Sequence, residues 1–154
     1  MKRFALLMVS LFLFSCAYTM AITENQVNRN LSRSFPVEKE YAFAKVELLE
    51  PSVKLLGNDE AQVKLKYRLS LPLMKAKEGT IKAKGRVVYD PKTKTIYLTD
   101  LIPLNLGGPA ERELLSRALK SVGRLPVYRL KGSKAELVKS IKVEDGKILV
   151  KFGI

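Results

Sequence analysis

The sequence predicts an α+β fold, with a long, curved antiparallel meander sheet of about six or seven strands wrapped around a helix in the C-terminal half of the chain. Apolar and polar side chains alternate strictly over residues 61–73 and again over 80–89, which places the apolar side chains on one face of each strand. The first of these strands would span roughly 43 Å. A half-apolar ribbon of that length must twist and wrap around something. Few helical patterns separate the strands, and this argues against βαβ units.

The N-terminal half of the domain contains a short helix and a first strand. Thr23-Glu24-Asn25-Gln26 has the pattern of a capping box and begins a short amphipathic helix that extends to about Ser34, before Pro36. Alternation over 38–48 then predicts a single strand, whose apolar face continues after Pro51 as far as a turn at 57–59.

The C-terminal half begins with the turn at 90–94 and a fourth strand over 95–100. Pro109 suits the first position of a helix that extends to Val122, and Gly123 is a typical stop signal. A short strand over 127–130, a brief helix over 133–139 and a hairpin over 140–152 complete the predicted domain, and the hairpin has an Asp-Gly turn.

The N-terminus has the features of an export signal. Lys2 and Arg3 precede an apolar run over 4–14, which is too short to span a bilayer, so residues 1–15 are predicted to be a signal peptide. Leu13-Phe14-Ser15-Cys16 resembles a bacterial lipobox and predicts Cys16 as the lipid-attachment site, with acyl chains that anchor the protein to a membrane. Residues 16–21 would form a lipidated tether, and 22–154 a single domain. The alternatives are cleavage after Ala17, which would give a soluble periplasmic protein, and an ordinary buried cysteine.

The charge of the chain points to anionic partners. The net charge is +13, and removal of Lys2 and Arg3 with the signal peptide lowers it to +11. Export directs this charge towards anionic phospholipid or lipopolysaccharide head groups rather than nucleic acid. The basic face of 61–89 also lacks the interleaved aromatic side chains that stack bases. A solvated charged face is the simpler alternative.

The sequence offers little catalytic chemistry. The absence of His excludes His-containing triads and His-liganded zinc, and the only thiol is expected to carry lipid. The pair Glu111/Glu113 fits the positive end of a helix, and Leu106-Gly107-Gly108-Pro109 is typical of a strand-to-helix turn. We therefore expect no enzymatic activity, no cofactor and no metal.

The apolar face of the long strands is the remaining candidate site. Packed against helices, it could form a filled core, or it could leave a crevice for an acyl chain. The small residues Ala83 and Gly85 would leave room there or mark a bend. The side chains expected to line such a hydrophobic-ligand site are Val63, Leu65, Tyr67, Leu69, Leu71, Ile81, Ala83, Gly85, Val87, Leu114, Leu115, Ala118 and Leu119.

Four blocks of the chain resemble the YceB-like lipoproteins of Gram-negative bacteria, a family with a domain of unknown function. They are Ile22-Thr23-Glu24 with Val27-Asn28 and Leu31, Tyr89-Asp90-Pro91 with Ile96-Tyr97-Leu98, Pro126-Val127-Tyr128-Arg129-Leu130, and Ser140-Ile141-Lys142-Val143 with Gly146-Lys147-Ile148. That family in turn resembles the tubular lipid-binding (TULIP) superfamily, in which a curved sheet wraps a long helix around an apolar tunnel.

The resemblance implies a lipid-binding or envelope-maintenance role without catalytic residues. Our first hypothesis is a periplasm-facing lipoprotein that binds a lipid or fatty acid between sheet and helix. The second is a structural or adaptor lipoprotein with a filled core that acts through its basic face. Ala17, directly after Cys16, resembles the sorting pattern of the outer membrane.

Overall fold

The computed structural model describes residues 18–105 and 109–153. It confirms an α+β fold with a curved antiparallel meander sheet. The predicted signal peptide, Cys16 and the 106–108 turn lie outside the described residues. The elements are β1 (Tyr18–Thr23), α1 (Glu24–Ser32), β2 (Val37–Tyr41), β3 (Ala44–Leu55), β4 (Glu60–Ser70), β5 (Lys77–Asp90), β6 (Thr95–Asn105), α2 (Pro109–Val122), β7 (Leu125–Arg129), a 3₁₀ helix (Ser133–Leu137), β8 (Val138–Glu144) and β9 (Lys147–Phe152).

Strands β2 to β7 form a six-stranded sheet in which each strand pairs with its neighbour in sequence. The sheet curls into a half-barrel. The two long strands pair along most of their length, so that Val63 lies opposite Ala83 and Leu65 opposite Ile81. Directly opposite residues share a face, and these four side chains are all buried on the inner, concave face of the sheet.

A second sheet of three strands, in the order β1-β9-β8, lies across one end of the half-barrel. The β3–β4 turn marks that end: the Val143 amide of β8 donates to Asp59 Oδ1 at 3.1 Å, and the Gly146 amide donates to the Leu55 carbonyl at 3.1 Å. The Tyr89 hydroxyl donates to the Ala135 carbonyl, just before β8. Residues 18–21 thus belong to a paired strand, and the prediction of a tether as far as residue 21 is wrong.

The strand predicted over 38–48 is a hairpin. Strand β2 ends at Tyr41, the chain turns at Ala42-Phe43, and β3 returns with Ala44 opposite Tyr41. Ala42 has a φ of +47°, a conformation that Gly or Asn adopts more readily than Ala. The alternation therefore contained no turn signal, and it assigned Tyr41 and Ala44 to opposite faces of one strand. In the hairpin the two side chains share the inner face.

Helix α1 bridges β7, at one edge of the half-barrel, and the end of β3 that lies beyond its pairing with β2. Its N-terminus has the predicted capping box, in which Thr23 Oγ1 accepts from the Gln26 amide and Gln26 Oε1 accepts from the Thr23 amide. Asn28 exchanges two hydrogen bonds with the backbone of Val53 in β3, and Asn30 donates to the Val127 carbonyl of β7 at 3.0 Å. Side-chain amides on one helix therefore satisfy backbone groups of both edge regions.

The two sheets and both helices share one hydrophobic core, whose buried members run from Ile22 to Phe152. A chain that begins at Tyr18 therefore retains every described core residue. Within residues 18–105 and 109–153, no helix combines the length and the hydrophobicity needed to cross a membrane.

Candidate ligand site between the sheet and helix α2

Helix α2 lies over the concave face of the half-barrel and packs against β6 on one flank and against β2 and β3 on the other. Leu115, Ala118 and Leu119 form its buried stripe. The structure brings these residues into the same core as the predicted lining residues of β4 and β5, and Leu71 and Leu114 are half-buried at its margin. The predicted lining is thus one continuous apolar surface, shared between sheet and helix.

The space beside Gly85 is filled by protein. A Cβ atom at this position would lie 2.9 Å from Leu98 Cδ1, from Leu101 Cδ2 and from the Thr99 carbonyl oxygen. The pairing of β5 with β6 also shifts register between Lys84 and Arg86. Gly85 therefore allows a close approach of β6 at an irregularity in the sheet, and it leaves no room for a ligand in this structure.

One end of the interface between sheet and helix is held by a polar cluster of three side chains, which we call the Glu111 clasp. Glu111, in the first turn of α2, accepts a hydrogen bond from Tyr67 Oη at 3.2 Å and another from Lys77 Nζ at 3.0 Å. Tyr67 reaches Glu111 by lying across Gly79, its partner on β5, where a Cβ would be 2.6 Å from Tyr67 Oη. The clasp connects the helix to both long strands.

The protonation states of Glu111 and Tyr67 favour the hydrogen bonds of the clasp. The hydrogen bond from Lys77 holds the pKa of the Glu111 carboxyl below its ordinary value, against a smaller opposing effect of burial. Burial and the nearby Glu111 charge raise the pKa of the Tyr67 hydroxyl. At neutral pH, Glu111 is thus an anion that accepts, and Tyr67 a neutral phenol that donates.

A second phenol on the inner face is unsatisfied. Tyr41 Oη is buried and has no hydrogen-bond partner within the described part of the chain. Tyr41 packs against the core, and its strand β2 is one of the elements that α2 contacts. Such a hydroxyl costs free energy unless a polar group is brought to it, so it is a candidate attachment point for the polar end of a ligand.

An open cavity on the surface lies away from the predicted lining. It has a volume of about 560 Å³ and lies between α1 and β7, and we call it the α1–β7 groove. It is lined by Met20, Asn30, Arg33, Ser34, Phe152 and residues 126–131. None of these belongs to the lining that the sequence predicts.

The outer face of the long strands is basic, as the alternation predicts, but half of its cations are paired. Salt bridges join Lys66 to Glu50 at 2.7 Å, Arg68 to Glu78 at 2.7 Å and Lys84 to Glu60 at 2.8 Å. Lys64, Lys82 and Arg86 have no carboxylate partner within 4.0 Å in the described ranges. Lys64 and Lys82 lie directly opposite each other on β4 and β5. The unpaired positive charge on this face is thus smaller than the sequence suggests.

Sequence reasoning missed the polar members of the site. It interpreted Glu111 only as a favourable charge at the helix terminus, and it assigned Lys77 and Gly79 to a connection that in fact belongs to β5. The only available signal was that Tyr67 interrupts the otherwise aliphatic inner face of its own strand, residues 61–73. Within the described residues, no group of three or more His, Cys, Asp or Glu side chains could hold a metal ion.

A half-barrel sheet with a helix across its concave face and a small sheet across one end defines an α+β domain with one candidate site between sheet and helix. The chain belongs to the family described as "Protein of unknown function (DUF1439)", whose model matches residues 22–152. No curated protein matches the chain significantly.

Proposed function

We propose that this protein is a lipid-anchored, periplasm-facing envelope protein that binds a fatty acid, or one acyl chain of a lipid, between the inner face of the sheet and helix α2. The observation that carries the proposal is the buried hydroxyl of Tyr41, which has no hydrogen-bond partner among the described residues and lies on a largely apolar inner face. The resemblance to YceB-like lipoproteins and to the tubular lipid-binding superfamily supports the same site. A carboxyl or ester oxygen of the ligand would satisfy the Tyr41 hydroxyl while its chain lies along the apolar surface.

Entry of a ligand requires α2 to move, because the inner-face side chains of the sheet and the buried stripe of α2 belong to one solvent-inaccessible core. Full burial of Leu115 and Leu119 contributes roughly 1.5–3 kcal/mol each. A long acyl chain gains about 0.8 kcal/mol per buried methylene, or on the order of 10 kcal/mol in total. The free energy gained from acyl contacts thus exceeds the free energy lost with these two helix contacts. The Glu111 clasp lies where it would resist the movement of α2.

The test uses a chain that lacks residues 1–15 and carries Cys16→Ser. It measures the hydrophobic molecules that co-purify with this chain (its cargo) and the uptake of added fatty acid. Native mass spectrometry with lipid extraction detects bound hydrophobes, and a fluorescent fatty acid measures binding. We expect Tyr41→Phe to weaken binding by about tenfold while the unfolding temperature stays the same or rises, because this variant removes an unsatisfied buried hydroxyl.

Tyr97→Phe is the matched control, since the Tyr97 hydroxyl bonds the exposed Thr93 side chain at 2.9 Å, away from the inner face. We expect this variant to bind the fatty acid as the unmodified domain does. Absence of both cargo and uptake in the unmodified domain would refute the proposal.

The proposed anchor at Cys16 has its own test. Cys16→Ser in the full chain is expected to move the protein from the membrane fraction to the soluble periplasmic fraction, and labelled palmitate is expected to enter only the unmodified chain. If palmitate never enters, the lipobox interpretation is wrong. Fractionation of the two membranes tests the outer-membrane destination that Ala17 favours.

The alternative proposal is a structural or adaptor protein without enzymatic activity, which acts through the basic outer face. The filled space beside Gly85 favours it, as do the unpaired cations Lys64, Lys82 and Arg86. Under this alternative, Tyr41→Phe changes no binding, whereas replacing the three cations by Gln abolishes association with the protein partner.

A further inference from the structure

The α1–β7 groove has the composition of a site for an anionic amphiphile. Three cations line it: Arg33 just after α1, Arg129 at the end of β7, and Lys131. Met20, Val127 and Phe152 supply apolar surface from β1, β7 and β9. Cationic and apolar groups in one cavity of about 560 Å³ match a ligand that combines a negative group with hydrocarbon.

Within the described part of the chain, these three cations form no ion pair. Within residues 18–105 and 109–153, no carboxylate lies within 4.0 Å of the charged groups of Arg33, Arg129 or Lys131, although other surface cations form such pairs. Arg129 also lines two neighbouring cavities, beside Lys94 and beside Lys92. The positive potential of the three cations is therefore available to an external anion. Guanidinium groups match phosphate oxygens through paired N–H donors.

The groove also lies close to the expected membrane anchor. Met20 is in β1, which begins at Tyr18, and Phe152 pairs with Tyr18 across β1 and β9. Tyr18 is two residues after Cys16, a distance of at most about 7 Å along an extended chain. The closeness of the groove to the membrane rests on the proposed anchor at Cys16, whereas the positive charge of the groove does not.

We propose that the α1–β7 groove binds the phosphorylated head group of an anionic membrane phospholipid, with phosphate on Arg33, Arg129 and Lys131 and with glycerol or upper acyl carbons against Met20 and Phe152. This site is distinct from the proposed site between the sheet and α2. It holds the domain against the bilayer surface by a contact that does not need the acyl anchor.

The experiment measures binding of the chain without residues 1–15, carrying Cys16→Ser, to vesicles of phosphatidylcholine with or without phosphatidylglycerol. The groove variant carries Arg33→Gln, Arg129→Gln and Lys131→Gln. The control variant carries Lys64→Gln, Lys82→Gln and Arg86→Gln, which removes the same charge from the outer face. Thermal unfolding checks that both variants remain folded.

We expect the unmodified domain to prefer vesicles that contain phosphatidylglycerol. The groove variant should lose on the order of a hundredfold in affinity, and the control less than about threefold, because a basic side chain at an anionic surface acts within a Debye length. Equal losses would overturn the proposal, since binding would then depend only on net charge. Equal binding to both kinds of vesicle by the unmodified domain would overturn it as well.

Two further measurements separate this site from other sources of phosphate and from the core site. A soluble short-chain phosphatidylglycerol is expected to compete with vesicles at far lower concentration than inorganic phosphate; equal competition would overturn the assignment to a lipid. Met20→Gln is expected to weaken binding of the short-chain lipid and to leave binding of inorganic phosphate unchanged. Uptake of fluorescent fatty acid should be the same in the groove variant as in the unmodified domain, so either proposal can fail without the other.

Discussion

Glu111→Gln tests whether the polar clasp controls access to the space under helix α2. The substitution removes the charge that Lys77 and Tyr67 contact but keeps the size of the side chain. Glu111 is 18% exposed and Lys77 55% exposed, so the salt bridge contributes at most about 1 kcal/mol. The hydrogen bond from the largely buried Tyr67 contributes about 1 kcal/mol, part of which the amide of Gln retains.

The expected result is a loss of about 1 kcal/mol in the free energy of unfolding at neutral pH, or about 3 °C in the unfolding temperature. Uptake of fluorescent fatty acid should become faster, because α2 is held less firmly. The matched control is Glu113→Gln on the same helix, whose exposed carboxylate pairs with Arg117, one turn further along α2. We expect the control to change stability by less than about 0.5 kcal/mol and uptake not at all.

The pH dependence gives an independent check. Because the pKa of folded Glu111 lies below the ordinary value of 4.5, its contribution is fully present above the pKa of the unfolded chain. It disappears as the pH falls through the folded pKa. The difference in stability between the unmodified domain and Glu111→Gln should therefore shrink below about pH 4.5. A difference that persists in acid, or equal uptake rates in Glu111→Gln and Glu113→Gln, would refute the assigned role.

Three further substitutions test the packing of the fold, each by denaturant unfolding. Gly85→Ala should destabilise the domain by about 1–3 kcal/mol, since its Cβ would meet the Thr99 carbonyl at 2.9 Å; an unchanged midpoint would contradict the close approach of β6. Asn28→Ala should cost about 1–3 kcal/mol because both backbone groups of Val53 lose their partner. Leu73→Ser should change stability by less than about 0.5 kcal/mol, because Leu73 is fully exposed in the β4–β5 turn, and a larger loss would mean that it packs against the core.

The elements with regular periodicity were predictable from the sequence. The apolar side chains of 61–73 and 80–89 repeat every second residue, and the structure has strands over Glu60–Ser70 and Lys77–Asp90, although the first ends before the predicted residue 73. The helix predicted over 109–122 and the cap at Thr23 also agree with the structure, because local hydrogen bonding and the fixed φ of proline act within a few residues. Strand β1 was not predictable, since its partner β9 lies over a hundred residues away.

The candidate site shows the same division. Alternation was enough to predict which side chains of β4 and β5 face inwards, because successive residues of a strand must point to opposite faces. It could not show that Leu98 and Leu101 fill the space beside Gly85, or that the buried Tyr41 hydroxyl has no hydrogen-bond partner in the described part of the chain. Those facts depend on the register between strands and on the turn at Ala42, which no turn-forming residue marks in the sequence.

The sequence by itself therefore determined the fold class, the apolar faces and the excess of positive charge, all of which follow from local pattern and composition. Only the tertiary structure decided which charges stay unpaired and where cavities open. The Glu111 clasp joins residues 67, 77 and 111, and the α1–β7 groove joins residues 20, 33, 129 and 131. Contacts across such separations depend on how the sheet curves and how the helices pack on it, and no local pattern specifies either.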